Sequence, residues 1–264
     1  MARPVIALLT DFGTSDHYAG VMKGVVLGIC PDAAIVDITH EVPAHDILAG
    51  ALELDASFRC FPAGTIFVVV VDPGVGSARR AIGVRAGGYQ FVAPDNGVLT
   101  PALEAPSLEA VQLREAKCAR PTVSRTFEGR DRFAPAAAWL ATGVPLEAFG
   151  PRITDLRRLE LTRPSIDHDL LVGAVVRVDR FGNLVTNIDR STLERFRGAD
   201  DIVIEIGSDE PPPLVATYTD VPVGHACALV GSTDHLEIAC HGRSARAYLG
   251  LARGAVVRVH ARRH

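Results

Sequence analysis

The chain has 264 residues, of which 48% are hydrophobic and 22% charged, so it can bury a sizeable core and is not intrinsically disordered. Its formal net charge is −4 at pH 7 and it has no run of basic residues, which argues against nucleic acid or an anionic membrane as a partner. The pairs Arg130 with Arg132 and Arg157 with Arg158 are interpreted as ordinary solvated charges.

The cysteines and histidines favour neither a disulfide framework nor a metal site. The five cysteines are an odd number and include no C-x-x-C pair, and the nine histidines lack ligand spacing. The apolar run near the N-terminus is closed by Asp11 and is too short for a signal peptide or a membrane span. We therefore expect a cytoplasmic protein with reduced thiols and no bound metal.

Strand and helix patterns alternate along the first half of the chain. Apolar runs predict strands over residues 5–10, 34–38, 66–71, 81–85 and 89–93, and helical spacing predicts helices over residues 18–29, 45–58 and 133–142. Continuous apolar strands alternating with helices are typical of a mostly parallel sheet that is covered on both faces. The pattern predicts an N-terminal α/β sandwich domain over residues 1–163.

The pattern changes near Pro164, where strand-like runs begin to follow one another with turns and only short helices between them. These runs cover residues 171–178, 184–188, 202–206, 226–230, 236–239 and 255–259. They predict a smaller, all-β domain, a barrel or a sandwich, over residues 169–264, joined to the first domain by a linker near residues 161–168.

Two of the predicted N-terminal strands end in a carboxylate. Asp11 follows the first strand, where it could hold a vicinal diol or could simply form an Asx turn or a helix cap. Asp72 follows the third strand and is paired in sequence with Arg79 across a glycine-containing loop, either as part of a ligand site or as a surface ion pair. The ends of buried strands are where open α/β sheets build their sites, so both positions are candidates.

Two further segments carry clustered polar residues. In the segment before the alanine-rich helix, Asp131 would cap the helix and Glu128 would be exposed if the segment were purely structural. The segment from Asp179 to Asn187 could bind a zwitterionic amino acid, because its acid accepts hydrogen bonds from an ammonium and its amides, including Asn183, donate to a carboxylate. A polar β-turn is the alternative for that segment.

Two positions in the C-terminal part could also contact a ligand. Ser232 follows a predicted strand and could offer its hydroxyl and backbone to a carboxylate. Tyr218 could stack on a flat base, or could equally be a core aromatic. The chain lacks the G-x-x-x-x-G-K-[ST], strand-linked G-x-G-x-x-G and G-x-S-x-G patterns, so the familiar nucleotide-binding and serine-hydrolase motifs do not apply.

Six segments, in order along nearly the whole chain, carry a family resemblance. They are LTDFG at 9–13, VDPGVG at 71–76, APDNG at 93–97, TFxGRD at 126–131, FGNLxTN at 181–187, and GS at 231–232 with LEIA at 236–239. Together they resemble the S-adenosyl-L-methionine (SAM) hydroxide adenosyltransferases, the adenosine-forming SAM hydrolases related to the fluorinase and chlorinase. The resemblance implies hydrolysis of SAM to adenosine and L-methionine, with water attacking the 5′ carbon in line with the leaving sulfur.

The resemblance also implies an assembly and a set of roles. It implies an N-terminal α/β domain, a C-terminal β-barrel-like domain and a homotrimer. Active sites would lie between the N-terminal domain of one subunit and the C-terminal domain of its neighbour, with SAM as substrate and no cofactor. Asp72 and Arg79 match two members of a triad that positions and polarises the attacking water. The implied substrate-binding residues are Asp11 for the ribose, Asp16, Asp179, Asn183 and Ser232 for the methionine portion, Tyr218 and the backbone from Ala239 to Gly242 for the adenine, and Asn96 and Glu237 in the matching motifs.

The sequence departs from the family at the third triad position, where the hydrolases carry His and this chain carries Glu128. A glutamate could accept a hydrogen bond from water, turn to solvent or pair with Arg79. If it joins Arg79, two carboxylates share one guanidinium, and the pKa of one of them should rise. A SAM- or adenosine-binding protein with little catalysis is therefore one alternative. A halide-using adenosyltransferase is another, although Asp72 should repel an anionic nucleophile.

Overall fold

The structure is a computed structural model that describes residues 3–198, 201–207 and 210–262. The chain divides into two compact units, Met1–Leu159 and Glu160–His264, each with its own hydrophobic core. Among the residues that the structure describes, no helix is both long enough and apolar enough to span a lipid bilayer.

The N-terminal unit is built on a six-stranded mixed sheet. Its strands are β1 Val5–Thr10, β2 Ala34–Thr39, β3 Ile66–Val70, β4 Ala81–Ala86, β5 Tyr89–Pro94 and β6 Leu108–Gln112, and its α-helices are α1 Tyr18–Ile29, α2 Ile47–Ser57 and α3 Ala134–Ala141. The sheet order is β2-β1-β3-β5-β4-β6. The first four strands of that order pair in parallel, whereas β4 runs antiparallel to both β5 and β6. The predicted α/β class is confirmed, and β6 is a strand that the sequence pattern did not predict.

Helices cover both faces of this sheet, which explains why its central strands are apolar throughout. On one face, Met22 of α1 and Ala136 of α3 pack with Leu8 and Val68. On the other face, the core is a second cluster that includes Leu54 of α2. Because successive side chains of a strand point to opposite faces, a strand covered on both sides must be hydrophobic at every position. All five residues of β3 are buried.

The C-terminal unit is an antiparallel β structure. Its strands are β7 Ser165–Asp167, β8 Leu170–Val178, β9 Leu184–Asp189, β10 Asp201–Glu205, β11 Ala226–Val230, β12 His235–Cys240 and β13 Val256–Arg262, and its α-helices are α4 Arg190–Arg197 and α5 Ala245–Leu249. The sheet order is β10-β13-β8-β9-β12-β11, with β7 paired to β8. Residues of the two end strands, β10 and β11, line one cavity, so the sheet is a nearly closed barrel, as predicted. β7 lies within the segment predicted to be a linker.

Local sequence sets the helix starts that matter for the site. Helix α2 begins at Ile47 because the Asp46 side chain accepts a hydrogen bond from the backbone N–H of Ala49, which satisfies an otherwise unpaired donor. His45, which was predicted to start this helix, instead lies outside it with φ of 69°. Helix α3 is preceded by a π-helical segment, Gly129–Phe133, and this segment directly follows Glu128.

Candidate functional site

The ends of β1 and β3 bring two predicted acids together. The two strands pair in parallel, with Thr10 opposite Val70, so Asp11 and Asp72 emerge at the same edge of the sheet. Both acids line a cavity of about 300 Å³. Glu128 lines the same cavity, which is otherwise walled by Phe12, Tyr18, Ala44, His45, Val70, Val75, Thr126, Phe127 and Gly129.

Asp72, Arg79 and Glu128 form a buried charge cluster, and the two carboxylates of this cluster line the cavity. The Nε of Arg79 donates to Oδ1 of Asp72 at 2.9 Å, and its Nη2 donates to the second carboxylate oxygen. The same Nη2 lies 2.6 Å from Oε2 of Glu128. The side chains are only 5%, 8% and 15% exposed for Asp72, Arg79 and Glu128. The alternatives of a surface ion pair for Asp72 and an exposed position for Glu128 are therefore wrong.

The surroundings of Asp72 change its acidity. Burial raises the pKa of Asp72 above the ordinary 3.8, and the negative charge of Glu128 raises it further. The hydrogen bonds and charge of Arg79 oppose this rise, as does the hydrogen bond from the backbone of Gly74. A rise in the pKa of one carboxylate is what the sequence predicts for two acids that share one guanidinium.

Arg132 contacts the same cluster, contrary to its prediction as a solvated charge. Its Nε lies 3.5 Å from Oε1 of Glu128, and its Nη1 donates to the backbone oxygen of Leu113 at 2.9 Å. Its side chain is only 25% exposed. The four-residue separation from Glu128 was the sequence signal that could have identified this contact, because residues four apart are neighbours on a helix surface.

Asp131 has a different role from the predicted helix cap. Its side chain is completely buried and accepts hydrogen bonds from the backbone N–H of Ser124 at 2.8 Å and from Nε of Arg130 at 2.6 Å. Arg120 also lies near it, with an Nη1 to Oδ1 distance of 3.5 Å. Arg130 is thus engaged rather than freely solvated. Asp131 ties down the loop that leads to Glu128.

We expect Asp131→Ala to lower the free energy of unfolding by roughly 2–3 kcal/mol, because it removes a buried acceptor from several donors that can reach water only in part. The interactions with Arg130 and Ser124 lower the pKa of Asp131 despite its burial. Its stabilisation is therefore complete above the ordinary pKa of 3.8 and is lost as the pH falls below that value.

Urea unfolding of wild type and variant at pH 7 and at about pH 3 measures this effect, and the difference between them should shrink at the lower pH. Asp155→Ala is the matched control, since Asp155 also pairs with an arginine, Arg80, but is 79% exposed. An equal loss of stability in both variants would contradict the assignment.

Asp11, which follows β1, is held in place at the cavity by the loop after β2. Its Oδ2 accepts a hydrogen bond from the backbone N–H of His45 at 2.9 Å, so it forms neither the Asx turn nor the cap considered from sequence. The backbone N–H of Gly13 donates to the backbone oxygen of His40 at 2.7 Å and fixes the turn that follows Asp11. Within the described residues, Oδ1 of Asp11 has no hydrogen-bond partner, which leaves an acceptor for a ligand.

Two predicted substrate-binding residues of the N-terminal unit do not line this cavity. Asp16 is exposed in the loop before α1. Asn96 has both ends of its amide engaged with backbone, since Nδ2 donates to the oxygen of Val71 at 2.8 Å and Oδ1 accepts from the N–H of Val98 at 3.1 Å. Asn96 therefore ties the end of β5 to the end of β3.

A second polar cluster lies in the C-terminal unit. Oδ1 of Asp179 accepts hydrogen bonds from the backbone N–H groups of Phe181 and Asn183, and its Oδ2 accepts from the side-chain amide of Asn183 at 2.9 Å. The Tyr218 hydroxyl donates to Oε1 of Glu237 at 3.0 Å. Tyr218 is 40% exposed, so the alternative of a core aromatic is wrong.

Electrostatics link the members of this second cluster. Burial raises the pKa of Glu237, and the charge of Asp179 adds to that effect. Burial, followed by the charge of Glu237, raises the pKa of Tyr218 to about 12.

The sequence did not reveal the pairing of Tyr218 with Glu237. The other predicted residues of this unit are Ser232, exposed after β11, Ala239, fully buried in β12, and Gly242, exposed after β12 with φ of 77°.

The residues that the structure describes include no group of three or more His, Cys, Asp or Glu side chains that could hold a metal ion. The arrangement instead offers carboxylates that line a cavity able to admit a small molecule and water, and a buried guanidinium that fixes one of these carboxylates. Such a site can orient a nucleophile and stabilise charge as it develops.

Comparison with known proteins places this arrangement in a family. Residues 6–150 match the model of the SAM hydroxide adenosyltransferase N-terminal domain, and residues 173–258 match that of the C-terminal domain. The chain is 38% identical to the (R)-S-adenosyl-L-methionine hydrolase of Thermus thermophilus, over 97% of this chain and 99% of that protein. It is 32% identical to a fluorinase of Nocardia brasiliensis, over 97% of each.

Solved structures agree with this placement. An uncharacterized conserved protein from Thermotoga maritima superposes with a TM-score of 0.91 at 36% identity, over 96% of this chain and 99% of that one. A conserved hypothetical protein from Thermus thermophilus gives a TM-score of 0.78 at 37% identity, over 98% of this chain and 100% of that one. With both of its units matched in order, the chain belongs to the SAM hydroxide adenosyltransferase family.

Proposed function

We propose that the protein hydrolyses SAM to adenosine and L-methionine. The observation that carries this proposal is the buried cluster of Asp72, Arg79 and Glu128, whose two carboxylates line the same cavity as Asp11. Relatives at 35–38% identity over nearly the whole chain, from Thermus and Salinispora, are named (R)-S-adenosyl-L-methionine hydrolase, which supports the same reaction here.

The reaction forms a bond between the water oxygen and the 5′ carbon while the bond from that carbon to sulfur breaks. The electron pair of the broken bond goes to sulfur, so methionine leaves as a neutral thioether and no acid is needed on that side. The difficulties are a weak nucleophile and its alignment, and holding water and carbon in attack geometry can lower the barrier by up to about 7–11 kcal/mol.

Each member of the charge cluster has a part in this reaction. The guanidinium of Arg79 stabilises hydroxide character as it develops on the attacking water, an effect that is stronger in a dry site than in water. Asp72 is held in place by two hydrogen bonds from Arg79, orients the attacking water and accepts its proton late in the reaction. Glu128 supplies a second acceptor on the same side of Arg79.

Substrate binding would involve Asp11 in the cavity of the N-terminal unit and the polar cluster of the C-terminal unit. We propose that Asp11 accepts hydrogen bonds from the ribose hydroxyls through its free oxygen. Asp179 and Asn183 hold the methionine portion, with Asp16 and Ser232, while Tyr218 stacks on the adenine. Glu237 fixes the Tyr218 hydroxyl, Asn96 supports the loop behind Asp72, and the backbone from Ala239 to Gly242 reads the adenine edge.

We further propose that the protein is a cytoplasmic homotrimer, with active sites formed between subunits. The support for this assembly is membership of the family, and Phe181 and Val223 of the C-terminal unit, which are 77% and 74% exposed, are positions where burial by a second subunit can be tested. Measurement of the molar mass in solution tests the trimer directly.

Product analysis tests the proposed function. Purified protein is incubated with SAM, with and without chloride, and the products are resolved by liquid chromatography. We expect adenosine and methionine in equal amounts, indifferent to chloride. SAM that is bound but not consumed would instead establish a binding protein, and a 5′-chlorinated product would establish a halide-using transferase.

The pH dependence of the reaction should show the raised pKa of Asp72. Protonation of Asp72 removes the acceptor for water, so kcat/KM should already fall at a pH above the ordinary aspartate pKa of 3.8, because the pKa of Asp72 is raised. In Glu128→Gln the negative charge that contributes to this rise is gone, so the acid limb should move to lower pH. A limb at the same pH in both proteins would contradict the assignment of Asp72 as the titrating group.

A further inference from the structure

Arg132 places a second positive charge beside the cluster of Asp72, Arg79 and Glu128. Glu128 lies between two guanidinium groups, with its Oε2 at 2.6 Å from Nη2 of Arg79 and its Oε1 at 3.5 Å from Nε of Arg132. Along these contacts, carboxylates and guanidinium cations therefore alternate, from Asp72 through Arg79 and Glu128 to Arg132. The four side chains carry no net charge when all of them are ionised.

This balance matters because the cluster is largely removed from water. Two carboxylates that share one buried guanidinium carry a net negative charge, and such a pair takes up a proton more readily. A carboxylate that loses its second cation can also rotate away to reach solvent. A cation on the far side of Glu128 opposes both effects, because it balances the net negative charge of the pair and attracts the oxygen that Arg79 does not hold.

The position of Arg132 is fixed from outside the cluster. Its Nη1 donates to the backbone oxygen of Leu113 just beyond the end of β6, which anchors the guanidinium. Its Nε is buried and makes no hydrogen bond to any described residue, so the group nearest to Glu128 is not committed elsewhere. Arg132 also lies on the π-helical segment Gly129–Phe133, and such segments occur frequently at functional sites.

We propose that Arg132 is a positioning residue that holds the Glu128 carboxylate turned toward Arg79. This inference rests on the proposed hydrolysis, since it assigns how one side chain of that same site is kept in its working state. Arg132 itself does not line the cavity and acts only through Glu128.

A double-mutant cycle tests this inference. The four proteins are wild type, Arg132→Gln, Glu128→Gln and the double variant, and kcat and KM for SAM are measured for each. In the wild-type background, Arg132→Gln should lower kcat about tenfold, a change within the range of coupling between residues in contact, and leave KM within about twofold. In the Glu128→Gln background, the same substitution should have no further effect. Arg132→Lys should recover part of the rate, because it restores the charge without the planar guanidinium.

Arg130→Gln is the matched control. Arg130 is the neighbouring arginine in sequence but is engaged with Asp131 rather than with Glu128. Its effect on kcat should therefore be the same in both backgrounds. If Arg132→Gln also lowers kcat equally with and without Glu128, then Arg132 supports only the local structure and the inference is wrong, while the proposed hydrolysis stands.

The midpoints of thermal unfolding of the same proteins test the pairing of Arg132 with Glu128 independently of the proposed hydrolysis. If wild-type protein turns over no SAM, the proposed function has failed, and the unfolding cycle then decides on Arg132 alone. A smaller shift for Arg132→Gln in the Glu128→Gln background than in wild type supports the pairing. Strictly additive shifts overturn it.

Discussion

Asp72→Asn is expected to lower the turnover of SAM by roughly 10³-fold or more, because it removes both the acceptor and the negative charge that orient the attacking water. The substitution keeps the shape of the side chain, so the buried guanidinium of Arg79 retains at least one hydrogen-bond partner. SAM binding should therefore survive, since Asp72 acts on the water rather than on the substrate. A loss in kcat with little change in affinity is the signature of an interaction made mainly in the transition state.

Adenosine release measured by chromatography and SAM affinity measured by calorimetry separate these two effects. Asp55→Asn is a suitable control, because Asp55 also pairs with an arginine, Arg59, but does so on an exposed part of α2. That variant should keep full activity. Full activity in Asp72→Asn would remove the proposed mechanism altogether.

Asp11→Ala is expected to have a comparably large effect on binding instead of on the chemical step. A carboxylate that accepts from two ribose hydroxyls makes charge-assisted hydrogen bonds, so its loss should weaken SAM binding by roughly 10²-fold. These contacts exist in both the ground state and the transition state, so KM should rise while kcat changes little. The second oxygen of Asp11 also holds the N–H of His45, so the loop after β2 loses one anchor.

Initial rates over a wide range of SAM concentration measure this effect. Asp32→Ala provides the comparison, since Asp32 is an exposed aspartate that follows α1 and lies away from the cavity. A fall in kcat at saturating SAM, with KM unchanged, would assign Asp11 to the chemical step and contradict its proposed role in binding.

The sequence was sufficient to locate Asp11 and Asp72 at the ends of strands, because an apolar run followed by an acid is a local pattern. Each acid follows a run of apolar residues, and parallel pairing of the two strands brings their ends to one edge of the sheet. β6, by contrast, could not be read from the pattern. It lies at one end of the sheet order and includes Glu109 and Gln112, so its hydrophobic signal is short and interrupted.

The position of Glu128 could not be deduced from the sequence, because it depends on tertiary structure. Its side chain faces Arg79, which is 49 positions earlier in the chain. No local pattern encodes that approach. The same applies to Tyr218 and Glu237, which are 19 residues apart and meet only because β12 lies next to the turn that carries Tyr218. Sequence patterns identify such residues as candidates but do not pair them.

His45 contributes to the cavity in two independent ways, since its backbone N–H holds Asp11 and its side chain is free to vary as part of the lining. Asp11 is held by the backbone N–H of residue 45, which every amino acid except proline supplies, so the anchor does not depend on the side chain. The φ of 69° at this residue favours glycine or asparagine, which adopt the left-handed conformation more readily than histidine. Residue 45 is thus a place where the lining of the cavity can be redesigned, and selectivity altered, without detaching the acid beside it.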